Sequence, residues 1–160
     1  MGTIHLFLDN IRSVHNAGSI FRTAETIGVT RIYCAGTTPT PVDRFGRPRK
    51  DFAKVSLGAE NMIAWEHVQG EDVVGLIKRS KIEGFTVIAL EQAKNSVDYK
   101  KVKVKGKGKT LVILGNEVDG VSKELLALAD TIAEIPMKGK KESLNVSVAA
   151  GIALFRIFDT

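Results

Sequence analysis

The chain is predicted to fold as an α/β domain, with a mostly parallel sheet covered by helices on both faces. Three observations carry that prediction. Short apolar stretches recur along the 160 residues, helical patterns separate them, and several are apolar nearly throughout, as strands buried on both faces are. The first strand is read over residues 3–8, where apolar and polar positions alternate. A helix follows from Ala17 to Ile27, with Ile20, Phe21, Ala24 and Ile27 at helical spacing. Residues 31–35 form the next apolar run. Gly36 to Phe52, with Pro39, Pro41 and Pro48, reads as one long basic loop, a length common in binding elements and lids. A weaker strand is expected near Ile63 to His67, and a helix from Glu71 to Glu83 that stops at Gly84. Strands at 85–90, 111–115 and 131–136 flank a helix from Val121 to Ala129, and a last helix spans Leu144 to Phe158. The lysine-rich stretch 100–109 is expected to be mobile.

Length and composition narrow the class. A chain of 160 residues suits one domain with a real core, since a domain of this size buries roughly 70% of its unfolded surface. No repeat or interior boundary is visible. With 44% hydrophobic residues and no apolar run near the roughly 20 residues a membrane helix needs, no membrane partner is expected. The N-terminus lacks the basic start and small-residue cleavage site of a signal peptide, so the cytoplasm is the expected compartment. One cysteine, Cys34, excludes an internal disulfide, and with three histidines the chain offers no zinc cluster.

A net charge of +5 and a pI near 9.4 favour a polyanionic partner. Clustering sharpens this. Residues 100–109 hold six lysines and no acid, among them Lys103, Lys105, Lys107 and Lys109. Arg44, Arg47, Arg49 and Lys50 lie in the proline-containing loop, and Lys138, Lys140 and Lys141 precede Ser143. Each cluster alone also reads as a solvated loop. Together they suggest a phosphate-binding face.

Three segments carry a more specific signal: Asn10 to Val29 (NIRSVHNAGSIFRTAETIGV), Leu111 to Asp130 (LVILGNEVDGVSKELLALAD) and Ser143 to Phe155 (SLNVSVAAGIALF). In order, spacing and residue type they resemble the three motifs of the SpoU (TrmH-type) family of RNA methyltransferases in the SPOUT superfamily, over about Asp9 to Phe158. The resemblance implies a C-terminal deep trefoil knot, against the default rule that chains do not thread their own loops. It implies S-adenosylmethionine as methyl donor, held by backbone groups after Leu90, Gly115 and Ile135, with Leu144 closing over the adenine side. It implies a homodimer through the last helix and the first-motif helix, and an RNA substrate, tRNA or rRNA, methylated on a ribose 2'-hydroxyl with no metal required. Residues 1–160 then form one methyltransferase domain without the appended RNA-binding domain of larger relatives.

The implied catalytic residues are Asn16, Arg22, Glu117, Ser143 and Asn145. Asn16 also reads as a plain helix cap, and Arg22 as a surface arginine or a partner of Glu25. Six residues apart, the two differ by about 240° on a regular helix, unless Asn16 precedes its first turn. An arginine with a pKa above about 12 is an unlikely ordinary base. Two roles are open to it: bidentate grip on a substrate phosphate, or phosphate-assisted removal of the 2'-hydroxyl proton. Glu117 is expected to shape the pockets rather than to move protons, and His15 to be structural or RNA-facing. The last helix, apolar nearly all round, is expected to be buried on every side, against the sheet and a second subunit. The rival reading is a non-catalytic knotted RNA-binding homodimer. Such a protein would be expected to have lost Arg22, Glu117 or Asn145, and all three are present.

Overall fold

The computed structural model describes residues 2–70, 72–104 and 106–159. The named strands form one seven-stranded sheet, parallel at every pairing, in the order β3-β2-β1-β6-β4-β7-β5. The strands are β1 (Thr3–Asp9), β2 (Arg31–Ala35), β3 (Ala64–Val68), β4 (Phe85–Leu90), β5 (Val97–Asp98), β6 (Lys109–Leu114) and β7 (Thr131–Glu134). The helices are α1 (Val14–Thr26), α2 (Lys50–Ser56), α3 (Asp72–Ile82), α4 (Lys123–Leu128) and α5 (Val146–Ile157). Glu71, where the second expected helix was to begin, lies outside the described residues.

The central strands are apolar because both of their faces are covered. Alternate side chains of β1 go to opposite layers. Leu6 and Leu8 join the cluster under α1, α2 and α5, with Phe21, Phe52 and Leu154, whereas Phe7 joins Val87, Ile113 and Leu76 under α3 and α4. A third cluster sets Ala153 and Ile157 of α5 on Ile88 of β4 and Ala133 of β7. Tyr99, Val102 and Val104 pack against it, so alternate residues of this stretch find apolar contact while Lys100, Lys101 and Lys103 are exposed.

Register fixes where the strands end. Leu8 pairs with Leu114, Leu114 with Leu90 and Leu90 with Ala133, so β1, β6, β4 and β7 deliver their loops to one edge of the sheet. Ser13 caps α1, its hydroxyl accepting the Asn16 N–H at 3.2 Å, and Asn145 caps α5 by accepting the Ser147 and Val148 N–H groups at 2.9 and 3.4 Å. α5 differs from expectation. Ala150, Ala153, Leu154 and Ile157 are buried, but Val148, Ile152 and Phe155 are 50%, 40% and 37% exposed, because the sheet and α1 cover one flank only. Among the described residues no helix is long and apolar enough to cross a membrane.

Candidate active site

At the carboxyl edge of β4, β6 and β7 lies a cleft of about 410 Å³. Leu90, Gly115, Ile135 and Leu144 all line it, as do Glu117, Ser143 and Asn145. Three loops make its walls. Residues 116–120 close on themselves through paired bonds between Asn116 and Gly120, both at 3.0 Å, and the Asn116 side chain accepts the Val118 N–H at 2.7 Å. That closure explains Gly115: a Cβ there would overlap the backbone of Gly120 and Val121. The missing side chain is thus required by the closure of the loop itself.

Glu117, at the tip of this loop, reaches the start of α1. Its carboxylate accepts N–H groups of Arg12 and Ser13 at 3.0 and 3.2 Å and the Asn16 amide Nδ2 at 2.8 Å. Partial burial alone would raise its pKa, but the Asn16 bond and the backbone N–H groups outweigh that and hold it below the ordinary value. It is therefore a fixed anion and an acceptor at neutral pH. Asn16, 7% exposed, passes the connection on: its Oδ1 accepts from Asn145 Nδ2 at 3.0 Å. Asn145 thus does two tasks, with Oδ1 capping α5 and Nδ2 gripping Asn16. Segments more than a hundred residues apart are joined by one row of side chains: Glu117, Asn16 and Asn145.

Arg22 stands apart. Asn16 lies inside the first turn of α1, so the 240° offset holds, and Arg22 is an exposed residue of the helix that does not line the cleft. Among the described residues it forms no ion pair, with Glu25 or any other acid. His15 is exposed. Ser143 is exposed at the cleft mouth, on the loop that carries Lys138, Lys140 and Lys141.

The other basic residues divide. Arg47 Nε and Nη2 both meet one oxygen of Asp43, Oδ2, at 2.8 Å, and Arg49 is held bidentately by Asp51 at 3.1 and 2.7 Å. Arg44 lies over the Phe45 ring. Lys103 and Lys107 are exposed, Lys109 donates to the Glu83 carbonyl at 3.1 Å, and Lys105 lies outside the described residues. Lys109 begins β6 whereas the cleft opens beyond Leu114, so Lys109 sits a strand length, roughly 16 Å, from the cleft.

The motif spacing left out Glu91 and Gln92. Glu91 accepts the Val121 N–H at 2.8 Å and its neighbour's N–H at 2.7 Å, and Gln92 donates to the Glu142 carbonyl at 2.7 Å, so both tie cleft loops together. The one available signal was position, directly after an apolar strand at a binding edge. Among the described residues no group of three or more His, Cys, Asp or Glu could hold a metal. Burial pushes the Cys34 thiol up to about 12, which leaves it inert.

Known proteins resemble this chain in sequence and fold. A family model described as the SpoU rRNA Methylase family matches residues 3–155. A tRNA (guanosine(18)-2'-O)-methyltransferase of Aquifex aeolicus is 33% identical over 94% of this chain and 66% of its own length. One of Thermus thermophilus is 34% identical over 94% of this chain and 71% of its own. The AdoMet-bound rRNA methyltransferase from Sinorhizobium meliloti superposes with a TM-score of 0.82 at 31% identity, over 97% of this chain and 55% of that one. The chain thus spans roughly half to seven-tenths of these relatives. With the family model covering all three motif segments, the second and third lining the cleft and the first bonded to them through Asn16, the chain belongs to the SpoU methylase family.

Proposed function

We propose that the chain is an S-adenosylmethionine-dependent RNA methyltransferase acting on a ribose 2'-hydroxyl of tRNA or rRNA. The observation that carries this reading is the Glu117–Asn16–Asn145 connection, which ties the three motif segments together at the edge of the cleft. The cleft fits the donor by the chemistry of its walls. Leu90, Ile135, Leu144, Val146 and Ala149 offer apolar surface to a purine, and the charged lining side chains, Glu91, Glu117 and Glu134, are acidic, which suits a ligand bearing a sulfonium and an ammonium group. Its size falls within the usual range for small-molecule sites. When bound, the donor supplies an already activated methyl group.

The protein's tasks are then to place a weak oxygen nucleophile in line, remove its proton and exclude water. Leu90, Gly115, Ile135 and Leu144 shape the donor cleft, with Asn16, Glu117 and Asn145 fixing its rim and Ser143 at its mouth. Arg22 handles the reacting nucleotide, by phosphate grip or by assisting deprotonation. Support for a homodimer comes from the Val148, Ile152 and Phe155 stripe, an unbroken apolar line at i, i+4 and i+7 that a second copy would cover. Arg22, on the helix that packs beside α5, would then serve the partner's cleft. The knot is supported by α5 lying between β4 and β7 on one flank and residues 99–104, which connect β5 to β6, on another. RNA contacts come from Arg44, Arg47 and Arg49, with Lys103, Lys105, Lys107 and Lys109 meeting more distant phosphates, and the compartment is the cytoplasm.

Calorimetric titration with S-adenosylmethionine tests the reading. Saturable binding to one site per chain is expected, and it should survive Arg22→Lys while methyl transfer to RNA is lost. A folded chain that binds no donor would contradict it.

A further inference from the structure

We infer that the tip of the loop between β2 and α2 is a base-stacking subsite, in which Phe45, flanked by Arg44 and Arg47, takes an unpaired nucleobase of the RNA. The inference rests on the RNA reading above and adds what that loop recognises. Phe45 is 66% exposed and belongs to none of the three buried clusters, so the ring adds nothing to the hydrophobic core. The guanidinium of Arg44 lies 4.7 Å, and that of Arg47 5.0 Å, from the ring centroid. Aromatic rings and guanidinium planes are the surfaces on which unstacked bases settle.

The tip is pre-ordered. The Asp43 carboxylate accepts the N–H groups of Phe45 and Arg47 at 2.8 and 3.0 Å and the Arg47 Nε–H at 2.8 Å. The Asp43 N–H donates to the Arg47 carbonyl at 2.8 Å, Val42 and Pro48 form an antiparallel bridge, and Gly46 turns the chain at φ +76°. A platform held this way loses little freedom on binding. Its chemistry is more π surface than free charge. Arg47 and Arg49 are paired with Asp43 and Asp51, while among the described residues Arg44 has no carboxylate partner.

Placement agrees. The loop leaves the carboxyl end of β2, the sheet edge where the cleft opens, and β2 stands two strands from β6, about 10 Å at the usual strand spacing. Loop root and cleft rim share Asn10, whose Oδ1 accepts the Thr37 N–H at 3.1 Å and whose carbonyl accepts Asn116 Nδ2 at 2.8 Å. An RNA strand with a ribose at the cleft therefore lies on the sheet edge from which the loop of Phe45 leaves.

The test compares binding of a short oligoadenylate with that of the same strand carrying abasic riboses. Phe45→Ala should weaken oligoadenylate binding by about 5- to 150-fold, the range of one lost base stack, and Phe45→Tyr should restore it. The salt dependence should not change, because no phosphate contact is removed. The abasic strand should bind the wild type and Phe45→Ala alike. If Phe45→Ala, folded by circular dichroism, binds both strands as the wild type does, the subsite is overturned and the RNA reading stands. A wild-type chain that binds neither strand, nor any tRNA or rRNA transcript, overturns both.

Discussion

Charge and hydrogen-bond geometry at single residues decide how the cleft edge behaves. Glu117 works as an anion, so its effect must depend on pH. Its pKa lies below the ordinary 4.5, so the stability it confers is fully present above that value and is lost as pH falls through the folded value. Glu117→Gln should lower Tm at neutral pH by about 2–4 °C, the equivalent of roughly 1 kcal/mol in a domain of this size, and flatten the acid limb of Tm against pH. Equal acid limbs for variant and wild type would remove the anion argument. At Asn145 the two tasks separate by substitution. Asn145→Asp keeps the cap, since Asp caps as well as Asn, but puts a carboxylate against Asn16 Oδ1 where a donor stood. It should retain helicity and lose donor affinity, whereas Asn145→Ala should cost a further ~1 kcal/mol of stability. Arg22→Lys keeps charge and removes the planar fork. If Arg22 grips phosphate, the loss will appear in RNA binding; if it assists deprotonation, in the maximal rate.

Element by element, the cleft is a product of strand register and loop closure. Gly115→Ala should cost about 1–3 kcal/mol and disturb the loop, because the added methyl meets backbone that cannot rotate away. Chemical denaturation measures this, and an unaltered midpoint would show that residues 116–120 can yield. The sequence made the long apolar elements legible, down to the weak strand that became Ala64–Val68. It did not reveal α2: seven residues with only Phe52 and Ser56 buried carry too few apolar positions to display a period, and the helix ends at Leu57, left-handed at φ 51°, where a glycine would have signalled the stop. β5 is a two-residue edge strand, below what any pattern resolves. Of the site, motif resemblance reached Asn16, Glu117 and Asn145, but their mutual bonds depend on loops that only the fold juxtaposes. Glu91 was invisible because its role is to accept the N–H of Val121, thirty positions along the chain.

The whole molecule presents two surfaces for which the isolated chain has no use: the apolar stripe on α5 and the basic rim of the cleft. Val148→Asp with Ile152→Asp should convert a dimer to a folded monomer in sedimentation and abolish methyl transfer, and a variant that still sediments as the wild type would remove the stripe from the interface. Mixing Arg22→Ala with Glu117→Gln chains should restore one working site per mixed dimer if Arg22 serves the partner's cleft, and none if it serves its own. Lys138, Lys140 and Lys141 lie between the cleft-lining residues Met137 and Ser143, whereas Lys109 lies a strand length away, so neutralising the first set should reduce RNA affinity and its salt slope more than neutralising Lys109. The most direct measurement is transfer of labelled methyl from S-adenosylmethionine to tRNA and rRNA transcripts, followed by mapping of the modified atom. Label is expected on a ribose 2'-oxygen with wild-type protein and none with Arg22→Lys at undiminished donor binding; label on a base, or no transfer to any RNA by a chain that binds donor, would contradict the proposed function.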